Sequence, residues 1–435
     1  MTQTQIPLSG GVNPPTDNLV SRSRGITNAS VPSLAVIPLR QHVGAPARCV
    51  VKPGDLVEEG MLIGSAEGDD SANVHASIPG RVVEIRRVSL PGAAPCDAVV
   101  VELGGRFGRS GQPRRKRGWD GVSRTELLAR IRAAGVVGLS GSVSPTHRKL
   151  ALPTGRSTSV LVANGLGGEP ALTADFALMR ERAREIAEAM RICRALLDPG
   201  RAVIALPDDA GELVPAFEEA FHELHVQAEA VLVSSRYPQG HADLLVDAIA
   251  GQGAVAEAVV LNVGTLNAIY DAVVGDQPLI ERVLTVAGTP VSEPRNLKVR
   301  IGTRIGDLFE ECGGLTEPVG KVVVGGPMRG VAVASLDVPV TKGTTGVIAF
   351  TEREAHAPTE WPCVRCGNCV EVCPWGLIPT RLFKLIEKGD FAGAGDEGLS
   401  RCTECGCCAY SCPSHIPLVD VIRMGKQGRN RGFND

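Results

Sequence analysis

The sequence predicts a multidomain chain of mixed α/β and α+β class. Three observations carry that prediction. Strand-like stretches separated by turn signals fill residues 31–103, helical and strand-like patterns alternate from 121 to about 280, and eight cysteines stand in two matched runs near the carboxyl end. At 435 residues, two to four domains are expected from length.

Composition narrows the class. Apolar residues make up 43 % and charged residues 21 %, as in an ordinary globular protein. The net charge of −3 supplies no field to recruit nucleic acid or an acidic membrane. Aromatics are only 3 %, so the cores must rest on Val, Leu, Ile and Ala. No uncharged apolar stretch reaches the roughly 18 residues a membrane span needs. The start lacks a basic region followed by an apolar run, so no signal peptide is read and reduced thiols are expected. Thirteen cysteines then point to metal ligation rather than disulfides.

Residues 31–103 read as β. Lys52-Pro53-Gly54-Asp55 forms one turn between alternating apolar residues, and Pro79-Gly80 a second. The pair resembles the barrel-sandwich fold of biotinyl and lipoyl domains, without the lysine those domains carry for modification. A structural or docking module is therefore expected at 1–103, including an N-terminal arm. Residues 104–120 are basic and Gly-rich and read as a solvated linker.

From 121 to 280 the alternation argues an α/β domain with a largely parallel sheet. "RTELLARIRAAG" is an amphipathic helix closing at Gly135, and 158–165 a short strand. Residues 175–197 form a long helix and 201–209 a strand. "ELVPAFEEAFHEL" is a helix, followed by the strand and turn "AEAVLVSSRYPQG". Residues 281–350 return to short strands with a helix starting at "GTRIGDLF", a small ubiquitin-like α+β module.

The remaining segment, 351–435, holds the cysteines. Each run reads C-x2-C-x2-C-x3-C-P, the bacterial ferredoxin pattern for 4Fe–4S clusters. Three cysteines at intervals of three wrap one face of a cubane, and the fourth ligates the other cluster. Cys363, Cys366, Cys369 and Cys412 are thus expected to hold one cluster, and Cys402, Cys405, Cys408 and Cys373 the other. Zinc usually takes separated C-x2–4-C pairs, so two triple runs favour iron–sulfur. Cys407 lies off the pattern and reads as a buried bystander, as do Cys49, Cys96, Cys193 and Cys312. Residues 381–394 have helical spacing and link the two halves.

Taken together, "GGVNPP" (10–15), "VIPLRQHVGAP" (36–46), "AAGVVGLSG" (133–141), "NGLGGEP" (164–170), "YPQG" (237–240), "NVGT" (262–265), "VGGPMRG" (324–330) and both cysteine runs resemble the C subunit of the Rnf (Rsx) electron-transport complex over nearly the whole chain. Cobalamin reductases of diol-dehydratase microcompartments share the parts but place the barrel-sandwich after the clusters.

The resemblance implies a complex-I-flavoprotein-like domain at 121–280, an SLBB-type module at 281–350 and a dicluster ferredoxin domain at 351–435. It implies a subunit without a span of its own, peripheral on the cytoplasmic face of the inner membrane. Other subunits and ferredoxin or a similar carrier would be its partners, and two 4Fe–4S clusters with FMN and NADH its cofactors.

The flavin motifs depart from the family. Ser140 and Val143 stand where glycines are expected and Ser144 where a phenylalanine is. Gly167 and Gly168 replace Glu and Cys, and His241-Ala242-Asp243 follows "YPQG" where the family tends to carry a glutamate. A β-branched valine suits a glycine conformation poorly and would add bulk where the flavin ring lies. Gly138, Gly141, Thr146, Lys149, Asn164, Glu169, Asn262 and Thr265 survive as the residues implied to bind FMN or NADH. A solvated lysine and turn-forming asparagines are the plainer alternatives. No residue is singled out as catalytic. Three readings stay open: an oxidoreductase subunit acting through FMN, an electron relay that has lost nicotinamide binding, and a cobalamin-reducing enzyme, which the domain order weakens.

Overall fold

Four strands, Glu229–Val233, Arg201–Pro207, Val160–Asn164 and Ala258–Asn262, pair in that order, all parallel, and form the centre of the molecule. The computed structural model describes residues 9–15, 19–107, 116–151, 158–251, 254–356 and 358–430. The strands are near-continuous apolar runs because both faces are covered. The helix Ala174–Leu197 packs on the sheet and against Val214–Glu223 and Val263–Val273. The chain runs outward from Val160–Asn164 through two strands, then returns to add Ala258–Asn262 on the other side. Asn164 and Asn262 therefore stand opposite each other at the strand ends, where the strand order reverses. In doubly wound folds that crevice takes ligands.

The barrel-sandwich is built from a four-stranded antiparallel sheet (Leu34–Pro38, Cys96–Leu103, Gly80–Val88, Leu56–Val57) facing a three-stranded one (Arg48–Cys49, Leu62–Ser65, Val74–His75). Both expected turns are present. Asp55 closes the first by accepting from the Lys52 amide at 2.9 Å. At the second, a side chain on Gly80 would collide with the Glu102 carbonyl, so only glycine fits.

The module after the parallel sheet has six strands, with the helix Ile305–Glu311 over one face. Leu284, Leu297, Ile305, Leu308, Phe309 and Val347 fill its core. The N-terminal arm leaves the barrel and joins this sheet, Ile26–Asn28 lying parallel to Arg295–Arg300.

The cysteine-rich end is helical. The single helix expected over 381–394 is two, Pro379–Glu387 and Phe391–Asp396. Gly389 adopts φ 74° between them, and Asp390 caps the second by accepting from the Gly393 amide at 2.8 Å. A left-handed glycine followed by a capping aspartate outweighs the apolar periodicity.

Candidate functional site: a cavity beside two cysteine loops

The two cysteine runs fold alike. Left-handed backbone recurs 39 residues apart at Arg365 and Glu404, at Gly367 and Gly406, and at Gly376 and His415. Short helices follow, Asn368–Glu371 and Cys407–Tyr410, each opening on its left-handed glycine. Arg and Glu share one conformation here, so the loop is set by the cysteine framework rather than by the intervening side chains.

The runs bring their cysteines together across the repeat. Cys373, Cys402, Cys405 and Cys408, together with the off-pattern Cys407, line one small, nearly apolar pocket with Leu377, Leu382 and Ile422. Cys369 and Cys412 fall in an apolar cluster with Ile416, Leu418 and Cys408, which joins it to that pocket, while Cys363 and Cys366 are exposed. Among the described residues no three His, Cys, Asp or Glu side chains close on a point that would hold a single metal ion. Several thiols spread around one pocket suit a larger thiophilic group, and cysteine sulfurs are the ligands that 4Fe–4S clusters take. Cys407 is buried against Val12 and Tyr237, as a small apolar side chain would be.

A cavity of about 330 Å³ opens at the carboxyl end of the parallel sheet. Gly165–Thr173 form one wall, Tyr237–Gly240 another and Asn13 and Arg22 of the arm a third. A second cavity of about 190 Å³ shares Gly167, Gly168, Glu169 and Asp175 with it and reaches Leu139–Gly141, Arg282 and the loop Gly325–Gly330. The size is that of small-molecule sites, and glycines Gly165, Gly167, Gly168 and Gly240 expose main-chain groups in the walls beside charged side chains, which suits a polar ligand.

The residues carried over from the family fall in two layers. Gly141 and Glu169 line the cavities. Beneath them, Thr265 Oγ1 accepts from the Leu139 amide at 2.9 Å. Asn262 accepts from the Gly264 amide at 2.9 Å and donates to Asp175 Oδ2 at 2.7 Å. Asn164 accepts from the Leu166 amide and donates to the Gly240 carbonyl at 2.8 Å. Both asparagines thus organise turns. Gly138 closes the eroded loop, its amide donating to the Ser144 carbonyl at 2.9 Å. Thr146 is buried, and Lys149 donates to the Val260 carbonyl at 3.2 Å; neither lines these cavities.

Val143 shows the strain the sequence implies, with φ 42° on a β-branched residue. The expected steric consequence does not follow. Its side chain packs toward Gly343 and the main core and lines neither cavity.

Glu169 Oε2 accepts from the amides of Met328 at 2.9 Å and Arg329 at 3.3 Å, so it also tethers the six-stranded module. Burial raises its pKa to about 7, the Met328 amide opposing the rise. Sequence reasoning missed Asp175 and Arg282, which both line the second cavity. Burial raises the Asp175 pKa, and the Asn262 amide and nearby Arg282 oppose that rise. Arg282 donates to the carbonyls of Leu139, at 3.3 Å, and Lys342. Their signal is weak: charged residues inside otherwise apolar runs.

Family profiles match this architecture in order. They are described as an RnfC barrel-sandwich hybrid domain (residues 6–106), a Nuo51 FMN-binding domain (131–271), an SLBB domain (283–332) and a 4Fe–4S dicluster domain (362–416). Over 89 % of its length the chain is 38 % identical to the C subunit of the proton-translocating ferredoxin:NAD(+) oxidoreductase complex of Clostridium ljungdahlii, covering 86 % of that protein. The chain belongs to the C-subunit family of Rnf-type ion-translocating oxidoreductases.

Other members of the C-subunit family agree. The C subunit of the ion-translocating oxidoreductase complex of Rhodobacter capsulatus is 36 % identical over 96 % of this chain and 82 % of its own length. Its counterpart in the Na(+)-translocating ferredoxin:NAD(+) oxidoreductase complex of Acetobacterium woodii is 31 % identical over 88 % and 87 %. A chain of an NAD+-reducing [NiFe]-hydrogenase in the H2-reduced state shares the fold, with TM-score 0.52 and 16 % identity over 75 % of this chain and 70 % of that one. Among the described residues no helix is long and apolar enough to cross a membrane.

Proposed function

We propose that the chain is the electron-relaying C subunit of an Rnf-type membrane complex, taking electrons from a nicotinamide through FMN and passing them over two 4Fe–4S clusters to ferredoxin or a partner subunit. The carrying observation is the pocket lined by Cys373, Cys402, Cys405 and Cys408, which abuts the Tyr237–His241 loop that walls the larger cavity. FMN, when bound, would convert a two-electron hydride donor into the single electrons that clusters carry. The proposed ligand sets are Cys373 with Cys402, Cys405 and Cys408, and Cys363, Cys366 and Cys369 with Cys412.

The chain's own residues divide the work. Gly165, Gly167, Gly168 and Gly240 let main-chain groups approach a bound ring. Glu169 and Asp175 lie beneath that position. The covered cysteine set faces the cavity domain, and the exposed Cys363–Cys366 loop faces outward, toward a partner. We divide the chain at 1–103, 104–120, 121–280, 281–350 and 351–435, and place it on the cytoplasmic face of the membrane, anchored by other subunits.

Anaerobic purification tests this. About eight iron and eight sulfide per chain, about one acid-released FMN, and bleaching of the clusters by NADH are expected. Zinc in place of iron defeats the reading. Full iron without flavin would leave the relay but assign the donor to another subunit, a reading supported by the Ser140 replacement, which lines the second cavity.

A further inference from the structure

The five residues Tyr237–His241 touch the large cavity on one side and both cysteine runs on the other. The Tyr237 ring lines the cavity and is 7 % exposed, enclosed by Val12, Cys407, Met328, Val372 and Cys405. Its hydroxyl leaves the cavity and donates to the Cys405 carbonyl at 2.7 Å. At the other end of the loop, the His241 imidazole meets the Trp375 indole edge-on, centroids 5.0 Å apart, two residues beyond Cys373. One short loop thus contacts both chain segments that supply the covered cysteine set.

The contact is braced from behind. Tyr237 and Val12 exchange backbone hydrogen bonds at 2.9 and 3.0 Å, and Arg236 donates to the Gly11 carbonyl at 3.0 Å. The Gly11 amide continues to the Val372 carbonyl at 2.9 Å. On the far side of the Cys405–Gly406 peptide stands the Met328 carbonyl, so close that a side chain on Gly406 would sit 2.9 Å from it. The peptide is held between Tyr237 and Met328. Phenylalanine would fill the same apolar space, so packing alone does not require the hydroxyl. What the hydroxyl adds is a fixed orientation of the Cys405 carbonyl and closure against water. Hydrogen bonding and solvent access around ligand cysteines set the potential of an iron–sulfur centre.

Resting on the proposed cluster assignment, we infer that Tyr237 is a positioning residue for electron transfer between the cavity and the cluster assigned to Cys373, Cys402, Cys405 and Cys408. Its hydroxyl fixes the Cys405 peptide and its ring seals the gap between the two sites.

The test uses the full chain, reconstituted anaerobically, with Tyr237→Phe and Tyr237→Leu. Both variants keep iron, sulfide and flavin content. In a redox titration followed by paramagnetic resonance, Tyr237→Phe displaces the reduction equilibrium of one cluster about threefold to tenfold, the scale of one hydrogen bond, and leaves the other unmoved. Tyr237→Leu, which also opens the seal, moves the same cluster further and slows its reduction by NADH. Wild-type equilibria in both variants, or equal displacement of both clusters, overturns the inference. A wild-type protein with no reducible clusters overturns the proposed function and this inference with it.

Discussion

Glu169 holds two structures together with one carboxyl. Oε2 accepts two amides from the Gly325–Gly330 loop, while Oε1 is buried without a hydrogen-bond partner. Gly326 is glycine because a side chain there would run into Glu169. Burial favours the neutral acid, so the folded protein binds a proton up to about pH 7, whereas the unfolded chain releases it near the ordinary glutamate value of 4.5. The folded state therefore holds more protons between these limits, and this group's contribution to stability falls as pH rises through them. Glu169→Gln stays neutral throughout. Urea unfolding at several pH values should show wild type losing ground to this variant from pH 4.5 to 7; parallel curves would refute the shift. Glu169→Ala, which leaves two amides without an acceptor, should cost about 1–3 kcal/mol in the same measurement.

At the scale of elements, the two cysteine loops are equivalent in backbone and unequal in surroundings. Gly367 and Gly406 share φ near 85°, yet a side chain on Gly367 meets nothing while one on Gly406 meets the Met328 carbonyl. Alanine at either position incurs the left-handed penalty of about 1–2 kcal/mol. Gly406→Ala adds a steric one, so it should lose a large share of its iron on purification while Gly367→Ala retains nearly all. Equal loss would show that backbone conformation alone governs loading. The same inequality orders chelation. Cys363 and Cys366 are exposed, whereas Cys405 is half-buried and Cys408 buried. A hydrophilic iron chelator under argon should release iron in two phases, the first from the exposed set. A Cys363→Ser variant should abolish that fast phase; its persistence would place the labile site elsewhere.

The whole molecule is joined where three parts meet on one lysine. Lys342 is fully buried, and its ammonium donates to the carbonyls of Asn73 and Gly135, both at 2.7 Å. Its own amide donates to Gln41 Oε1 at 2.9 Å. Barrel, parallel sheet and six-stranded module are thereby pinned together. Nearby, Arg300 pairs with Glu59 at 2.6 Å across the barrel and the six-stranded sheet. Gly135, at φ 64°, approaches so closely that a side chain would strike Asn73. Burial lowers the Lys342 pKa from 10.5 to about 7. Between these values the unfolded chain binds the extra proton, so this group's contribution to stability rises with pH from about 7 to 10.5. Lys342→Met should flatten the pH dependence of unfolding across that window relative to wild type. An unchanged difference between the two proteins would refute the buried titration.

Much of this is legible in the sequence wherever the signal is local. The strand read at 158–165 is Val160–Asn164, and the helix read at 175–197 is Ala174–Leu197, because apolar period reports burial of one element against its neighbours. The helix read across 381–394 breaks at Gly389-Asp390, where local turn chemistry overrides the period. Val143 is ill-suited to its loop on sequence grounds, but the direction of its side chain depends on Gly343, 200 residues away. Tyr237 stands in the "YPQG" motif, which gives no sign of Cys405, 168 residues on, as its partner. Asp175 and Arg282 escape a sequence reading because their pairing is likewise remote.

By itself the sequence determined the order of the domains and the repeat of eight cysteines, since ligand spacing is a covalent property of a short stretch of chain. Tertiary structure alone decided that Cys405 and Cys407 pack against the Tyr237 loop while Cys363 and Cys366 are exposed. That choice follows from how the arm, the Tyr237 loop and the Met328 loop pack around one of two otherwise equivalent turns, and packing between distant segments leaves no periodic trace in either of them.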